Sequence, residues 1–234
     1  MEAIILAGGF GTRLKSLGLD VPKPMVPVEE IPFLQYVMNF LQQNGVHTCV
    51  LSVGYKWEKI KDYFGEKFKE ITLIYSIEDK PLGTGGAIRE SLKYCKHNNV
   101  LVVNGDTFFE VDLKKMFDYH KNLKSNFTVA SKFVKDFSRY GRIVADERGK
   151  IIDFEEKQAS GEGLINGGIY CLDKEYYLSK STKGNFSLER DFLGRWVKEA
   201  SYFSFTSDGY FIDIGLPEDY LLAQNKNKTL MKYA

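Results

Sequence analysis

Residues Ala3 to Ala7 form an apolar run that breaks into Gly8-Gly9-Phe10-Gly11-Thr12-Arg13, with Pro22-Lys23-Pro24 close behind. A strand emptying into glycines presents unpaired backbone N–H groups, and glycine tolerates positive φ and the close approach of a bulky anion. Arg13 offers a planar fork matched to phosphate oxygens, and Lys23 a point charge. The chemistry these residues suit is phosphate binding. Spacing excludes two familiar forms of it: no Gly-x-x-x-x-Gly-Lys-Ser/Thr string occurs, and Leu14 stands where a dinucleotide fingerprint needs its third glycine. On the glycines alone, a tight turn with incidental basic neighbours is the competing reading.

Three further constellations follow apolar runs. The glycines of Pro81-Leu82-Gly83-Thr84-Gly85-Gly86 leave room either for a flat ring against the backbone or for close packing at a helix N-terminus. Val102-Val103-Asn104-Gly105-Asp106 sets a carboxylate at the tip of a buried strand, and Phe211-Ile212-Asp213-Ile214-Gly215 frames Asp213 in the same way. A magnesium ion takes one or two carboxylates plus phosphate oxygens, so beside a phosphate loop the two aspartates become candidate ligands. Singly, each reads as a turn or cap residue. Phe154-Glu155-Glu156-Lys157 and Asn166-Gly167-Gly168 put polar groups at strand ends, suited to bonding hydroxyls.

The elements that must position these residues alternate. Phe33, Val37, Phe40 and Leu41 share a helical face, Thr48 to Val53 reads as a buried strand, and Trp57, Ile60, Phe64 and Phe68 recur at helical spacing. A strand over Ile71 to Ile77, a helix from about Gly85 to Tyr94 and a strand over Val100 to Val103 complete a β-α-β series, which predicts a Rossmann-like, mainly parallel sheet flanked by helices. In such sheets ligands bind beyond the carboxyl ends of the strands, where all four constellations fall. After a helix from about Leu113 to Leu123 the pattern changes. Gly141 to Ala145 and Lys150 to Glu155 predict a small hairpin-like β insertion, Ile165 to Leu172 a strand, and Leu188, Phe192, Trp196 and Val197 a helix. Tyr202 to Phe205 and Phe211 to Ile214 predict late strands, and Pro217 opens a last helix.

The 234 residues suffice for one α/β domain, and the absence of linkers or repeats favours one. With 32 basic against 31 acidic residues the net charge is +1, giving no footprint for nucleic acid, so any phosphate specificity is local. No stretch is long enough to span a bilayer and no leader precedes the first strand, which predicts a cytoplasmic protein. Cys49, Cys95 and Cys171 are odd in number and widely separated, arguing against disulfides or zinc.

In this order, the Gly8 to Arg13 loop, Pro22-Lys23-Pro24, Pro81 to Gly86, Asn104-Gly105-Asp106, Glu156-Lys157, Asn166-Gly167-Gly168 and Asp213-Ile214-Gly215 closely resemble the sugar-1-phosphate nucleotidyltransferases, from residue 3 to about residue 222. The compact length and Leu14-Lys15-Ser16 are most similar to the short bacterial heptose 1-phosphate guanylyltransferases. The resemblance implies a single domain, with a nucleotide-binding half over about 1–110 and a sugar-phosphate half over about 111–234. It implies that Leu6, Ala7, Gly8, Gly9, Gly11, Thr12 and Arg13 hold the nucleotide, with Arg13 on the departing pyrophosphate and Lys23 on the α-phosphate or sugar phosphate. Glu78 would read the base, with Pro81, Gly83, Thr84, Gly85 and Gly105 around the nucleotide. A carboxylate there suits guanine, whose N1–H and N2–H₂ are adjacent donors. Asp106 and Asp213 would hold magnesium, and Asp106, Gly141, Glu156, Lys157, Asn166 and Gly168 would meet the sugar phosphate. Arg13, Lys23 and Asp106 would be catalytic, and the partners are GTP and a sugar 1-phosphate, with no nucleic acid or membrane and with a homodimer left open. Mannose 1-phosphate with GTP, a hexosamine 1-phosphate with UTP, and a non-catalytic nucleotide-sugar-binding subunit are the alternative readings.

Overall fold

The computed structural model describes residues 1–9, 20–155, 161–215, 217–224 and 229–234. Strand β1 (Glu2–Leu6) leads, past a tight hairpin of β2 (Pro27–Val28) and β3 (Ile31–Pro32), into helix α1 (Phe33–Gln43). Then come β4 (Thr48–Val53), α2 (Trp57–Phe64), a two-residue β5 (Lys67–Phe68), β6 (Ile71–Ile77), α3 (Gly83–Ser91) and β7 (Asn99–Asn104). The parallel core has the order β7-β1-β4-β6. Its strands are apolar on both faces because both faces are covered: Ala3 and Ile5 enter one core with the residues of α1, while Ile4 packs in the other with Ile88 and Leu92. Each fully buried Ile or Phe in these layers stabilises by roughly 1.5–3 kcal/mol.

Register places the site. Leu6 pairs with Ser52 on one side and Asn104 on the other, and Ser52 pairs with Ser76, so the carboxyl ends of the four strands finish level. Residues just beyond them share one edge.

The second half contributes β8 (Thr107–Phe109), α4 (Leu113–Asn122), β9 (Phe127–Val134), β10 (Arg142–Ala145), β11 (Ile151–Glu155), β12 (Gly163–Asp173), α5 (Lys174–Lys180), a π-helical turn (Leu188–Leu193) running into the short α6 (Gly194–Trp196), β13 (Tyr202–Thr206), β14 (Phe211–Asp213) and α7 (Pro217–Gln224). β12 pairs antiparallel with β7, β9 and β10, so the sheet is parallel at its centre and mixed beyond it. Among the described residues no helix is long and apolar enough to cross a membrane, and all three cysteines are buried and free.

Several expectations need correction. Phe68 belongs to β5, because α2 ends at Phe64 before Gly65 at φ +64°. The expected hairpin forms, turning at Asp146 to Gly149, but β10 and β11 continue the main sheet rather than standing apart from it. β13 joins that sheet parallel to β9, whereas β14 leaves it and pairs with β8. The helix over 188–197 opens as a π turn, so Leu193 replaces Trp196 at the core. β9 and α5 are additional elements that the apolar patterning did not mark.

Candidate active site

A cleft of about 530 Å³ opens at the carboxyl edge of the parallel strands, within the range of small-ligand sites. Leu6, Gly8 and Gly9 form its floor. Ala7 lies buried beneath, its N–H donating to Ser52 O at 2.8 Å. A Cβ on Gly8 would stand 3.3 Å from Glu78 Oε1, so the glycine lets the carboxylate lie close against the loop.

Glu78 stands immediately after β6 and lines the cleft. The Ser52 hydroxyl donates to its Oε1 at 3.0 Å and the Leu82 N–H to its Oε2 at 3.0 Å. One donor sits on each oxygen, leaving a free lone pair on both, a geometry that can accept two adjacent N–H groups. Ser52 was not anticipated as a site residue; the signal was a lone hydroxyl inside the buried run Cys49 to Val53.

Pro81, Gly83 and Thr84 also line the cleft, but Gly85 does not. Its N–H donates to Phe186 O at 3.0 Å, and a Cβ there or on Gly86 would overlap the Phe186 ring or the Gly184 carbonyl. The paired glycines therefore serve close packing of segment 184–186 on the head of α3, with the Phe186 ring against Gly85.

At the other end Asp106 lines the cleft. Gly105 bends the chain toward it and donates its N–H to Leu6 O at 2.9 Å; a Cβ on Gly105 would stand 2.8 Å from that oxygen. The Lys23 ammonium makes a close ion pair with Asp106 Oδ2 and lies 4.0 Å from Asp213 Oδ1. The β8–β14 pairing, with Asp213 opposite Thr107, and the Ile214 N–H bond to Asp106 O at 3.0 Å bring these three charges together. Burial, and then the charge of Asp106, push the Asp213 carboxyl above its ordinary value, while Lys23 and the Gly215 N–H oppose the shift. Two converging carboxylates that favour added positive charge fit a divalent cation. Among the described residues no group of three or more His, Cys, Asp or Glu is gathered for a metal, so phosphate oxygens and water would complete the coordination.

Gly141 and Asn166 stand at one end of the β10–β12 pair, one residue beyond the Arg142–Ile165 match. A bulge between Asn166 and Tyr170 bends β12, and Gly168, at φ +74°, crosses Asn104 where a Cβ would stand 2.9 Å from Asn104 Nδ2. The bend turns Asn166 toward Tyr170, whose hydroxyl accepts from Asn166 Nδ2 at 2.8 Å. Burial and the neighbouring Glu189 hold the Tyr170 phenol well above its ordinary pKa. Gly11, Thr12, Arg13, Glu156 and Lys157 lie outside the described residues.

A parallel α/β sheet with a carboxylate-lined cleft beyond its strands is the setting in which such folds bind ligands, and residues 2–229 match the nucleotidyl transferase family. The chain belongs to that family. It is 45% identical over 226 residues, covering 97% of this chain and 98% of the relative, to the D-glycero-alpha-D-manno-heptose 1-phosphate guanylyltransferase of Aneurinibacillus thermoaerophilus. It is 48% identical over 220 residues, covering 94% and 97%, to the protein of the same name from Campylobacter jejuni subsp. jejuni serotype O:2. The crystal structure of HddC from Yersinia pseudotuberculosis complexed with GMP-PN superposes with a TM-score of 0.86 at 39% identity, covering 96% of this chain and 98% of that one.

Proposed function

We infer that the chain transfers a guanylyl group from GTP to a sugar 1-phosphate, D-glycero-α-D-manno-heptose 1-phosphate, releasing pyrophosphate and a GDP-sugar. The observation that carries this reading is one cleft lined at one end by a carboxylate held by Ser52 and Leu82, and at the other by Asp106, whose carboxylate pairs with Lys23 beside Asp213. The full-length likeness to two heptose 1-phosphate guanylyltransferases supports the choice of both substrates.

The nucleophile is an oxygen of the sugar 1-phosphate, ionised at neutral pH, that attacks the α-phosphorus in line; the P–O bond to the pyrophosphate breaks and its electrons leave with that group. No side chain has to remove a proton. The protein's work is to bring two polyanions together and to stabilise the charge that develops. Glu78 orients the guanine through its N1–H and N2–H₂. The backbone at Gly8 and Gly9 admits the phosphates, Lys23 places a positive charge at the transferring group, and Asn166 and Gly141 meet the sugar. Arg13 is assigned to the departing pyrophosphate on its place in the sequence. Asp106 and Asp213 would hold Mg²⁺, which supplies charge neutralisation on phosphate oxygens when bound. The reading divides the chain into a nucleotide half over about residues 1–110, which supplies the lining of the cleft, and a sugar-phosphate half over about 111–234. The reading puts the reaction in the cytoplasm and its product in surface polysaccharide synthesis.

A pyrophosphate-release screen of four nucleoside triphosphates against a panel of sugar 1-phosphates tests it. GTP with the heptose phosphate should be the strongest pair; a clear maximum at mannose 1-phosphate or with UTP would replace the substrate assignment.

A further inference from the structure

Glu189 belongs to neither end of the cleft as described above, yet its carboxylate collects three hydroxyls. Thr84 donates to its Oε2 at 3.2 Å, Ser187 to the same oxygen at 3.1 Å, and Tyr170 to its Oε1 at 3.3 Å. Thr84 is at the head of α3 and its hydroxyl also accepts the Leu188 N–H at 2.8 Å. Tyr170 lies on β12 and accepts from Asn166. Glu189 itself sits in the π-helical turn Leu188–Leu193, an irregularity that brings a side chain out of the regular helical path.

The direction of the protons in this network follows from fixed backbone donors. The Gly168 N–H donates to Asn166 Oδ1 at 3.0 Å, so the amide nitrogen of Asn166 must face Tyr170. The Tyr170 oxygen therefore accepts, and its own proton must go elsewhere; Glu189 Oε1 takes it. The Thr84 oxygen likewise accepts from Leu188, and its proton goes to Glu189 Oε2. Only a group that accepts at both ends satisfies the arrangement. A carboxylate does so, whereas an amide would turn a donor toward either Tyr170 or Thr84.

We propose that Glu189 is a positioning residue for the acceptor substrate: through Tyr170 it locks the Asn166 amide so that one N–H and one carbonyl lone pair remain aimed at the sugar 1-phosphate, and through Thr84 it ties that amide to the head of α3. The inference rests on the assignment of Asn166 to the sugar. Its effect belongs to acceptor binding, because Glu78, Lys23 and Asp106 hold their own partners independently of it, and Thr84, which lines the cleft, is also held by the Leu188 N–H.

The test is steady-state kinetics of pyrophosphate release for Glu189→Gln, Tyr170→Phe, Asn166→Ala and the double variant Glu189→Gln/Asn166→Ala, with the sugar 1-phosphate that the wild-type chain uses. Glu189→Gln and Tyr170→Phe should each raise KM for the sugar phosphate about tenfold while KM for GTP stays within about threefold. The double variant should be no worse than Asn166→Ala, since the effect runs through that residue. Losses in the double variant that multiply, or an unchanged sugar-phosphate KM in folded single variants, would overturn the proposal. Should Glu189→Gln fail to fold, Tyr170→Phe removes a single oxygen and carries the same measurement. A wild-type chain active on a different sugar phosphate would correct the substrate assignment alone and leave this comparison in force.

Discussion

Lys23 forms a close ion pair with Asp106 while standing 4.0 Å from Asp213, so one ammonium answers two carboxylates, the first of which lines the cleft. The arrangement keeps a lysine in place before substrate arrives and holds both aspartates where a divalent cation can be shared with phosphate oxygens. Asp106→Ala, Lys23→Ala and Arg13→Ala should each leave a folded chain whose turnover is lower by at least roughly a hundredfold, the loss of one fixed charge at a phosphoryl-transfer site. Circular dichroism and pyrophosphate release measured together check this; near-normal rates would remove the catalytic assignment.

Removal of divalent cations with EDTA should abolish turnover, and added Mg²⁺ should restore it. Asp213→Asn keeps the side-chain volume but withdraws one negative oxygen, so its activity should saturate at a Mg²⁺ concentration about tenfold higher than wild type. A magnesium titration of both proteins decides the point, and superimposable curves would take Asp213 out of the metal site.

The glycines at the head of α3 make a separate prediction. A Cβ on Gly86 would overlap the Gly184 carbonyl oxygen, a backbone atom that cannot swing aside. Gly86→Ala should destabilise the fold by about 1–3 kcal/mol, read as a lower urea midpoint. KM for GTP in the folded protein should stay near wild type. An unchanged midpoint with impaired GTP binding would return these glycines to the nucleotide site.

His120 is buried, bonded through Nδ1 to the Thr128 hydroxyl at 2.8 Å, and burial pushes its pKa down to about 4 from an ordinary value of 6.5. The unfolded chain therefore binds this proton first. Its contribution is complete above pH 6.5 and is lost as pH falls toward about 4, at up to roughly 1.4 kcal/mol per pH unit. Urea denaturation across that range should show wild-type stability falling more steeply than that of His120→Asn; parallel slopes would contradict it.

The parallel half was legible because β1, β4 and β7 bury both faces and so read as largely apolar runs, the last of them ending just before Asp106. β9 was not. Its buried Thr128 and Ser131 are satisfied by His120, Ser204 and Thr206, partners that no local pattern reveals. The π turn displaced the expected helical face for the same reason, since spacing alone favours a regular period. Asp106 and Asp213 could be paired from sequence by their glycine and apolar frames, whereas Lys23, between two prolines, reads as a phosphate cation with no sign of its ion pair to Asp106. Glu189 could not, because two of the three hydroxyls it collects lie 105 and 19 residues away.

Ser52 and Glu78 bear on the choice of base. Ser52→Ala removes a hydrogen bond to a charged group, about 1.5 kcal/mol, and should raise KM for GTP roughly tenfold with little change in kcat.

The most direct measurement is kcat/KM for GTP, ATP, UTP and CTP with the heptose 1-phosphate, in the wild-type chain and in Glu78→Gln. The wild type should favour GTP by at least about a hundredfold, and Glu78→Gln should lose about tenfold or more of that preference. A wild type without a GTP preference, or a Glu78→Gln profile identical to wild type, would contradict guanylyl transfer read by Glu78 in this cleft.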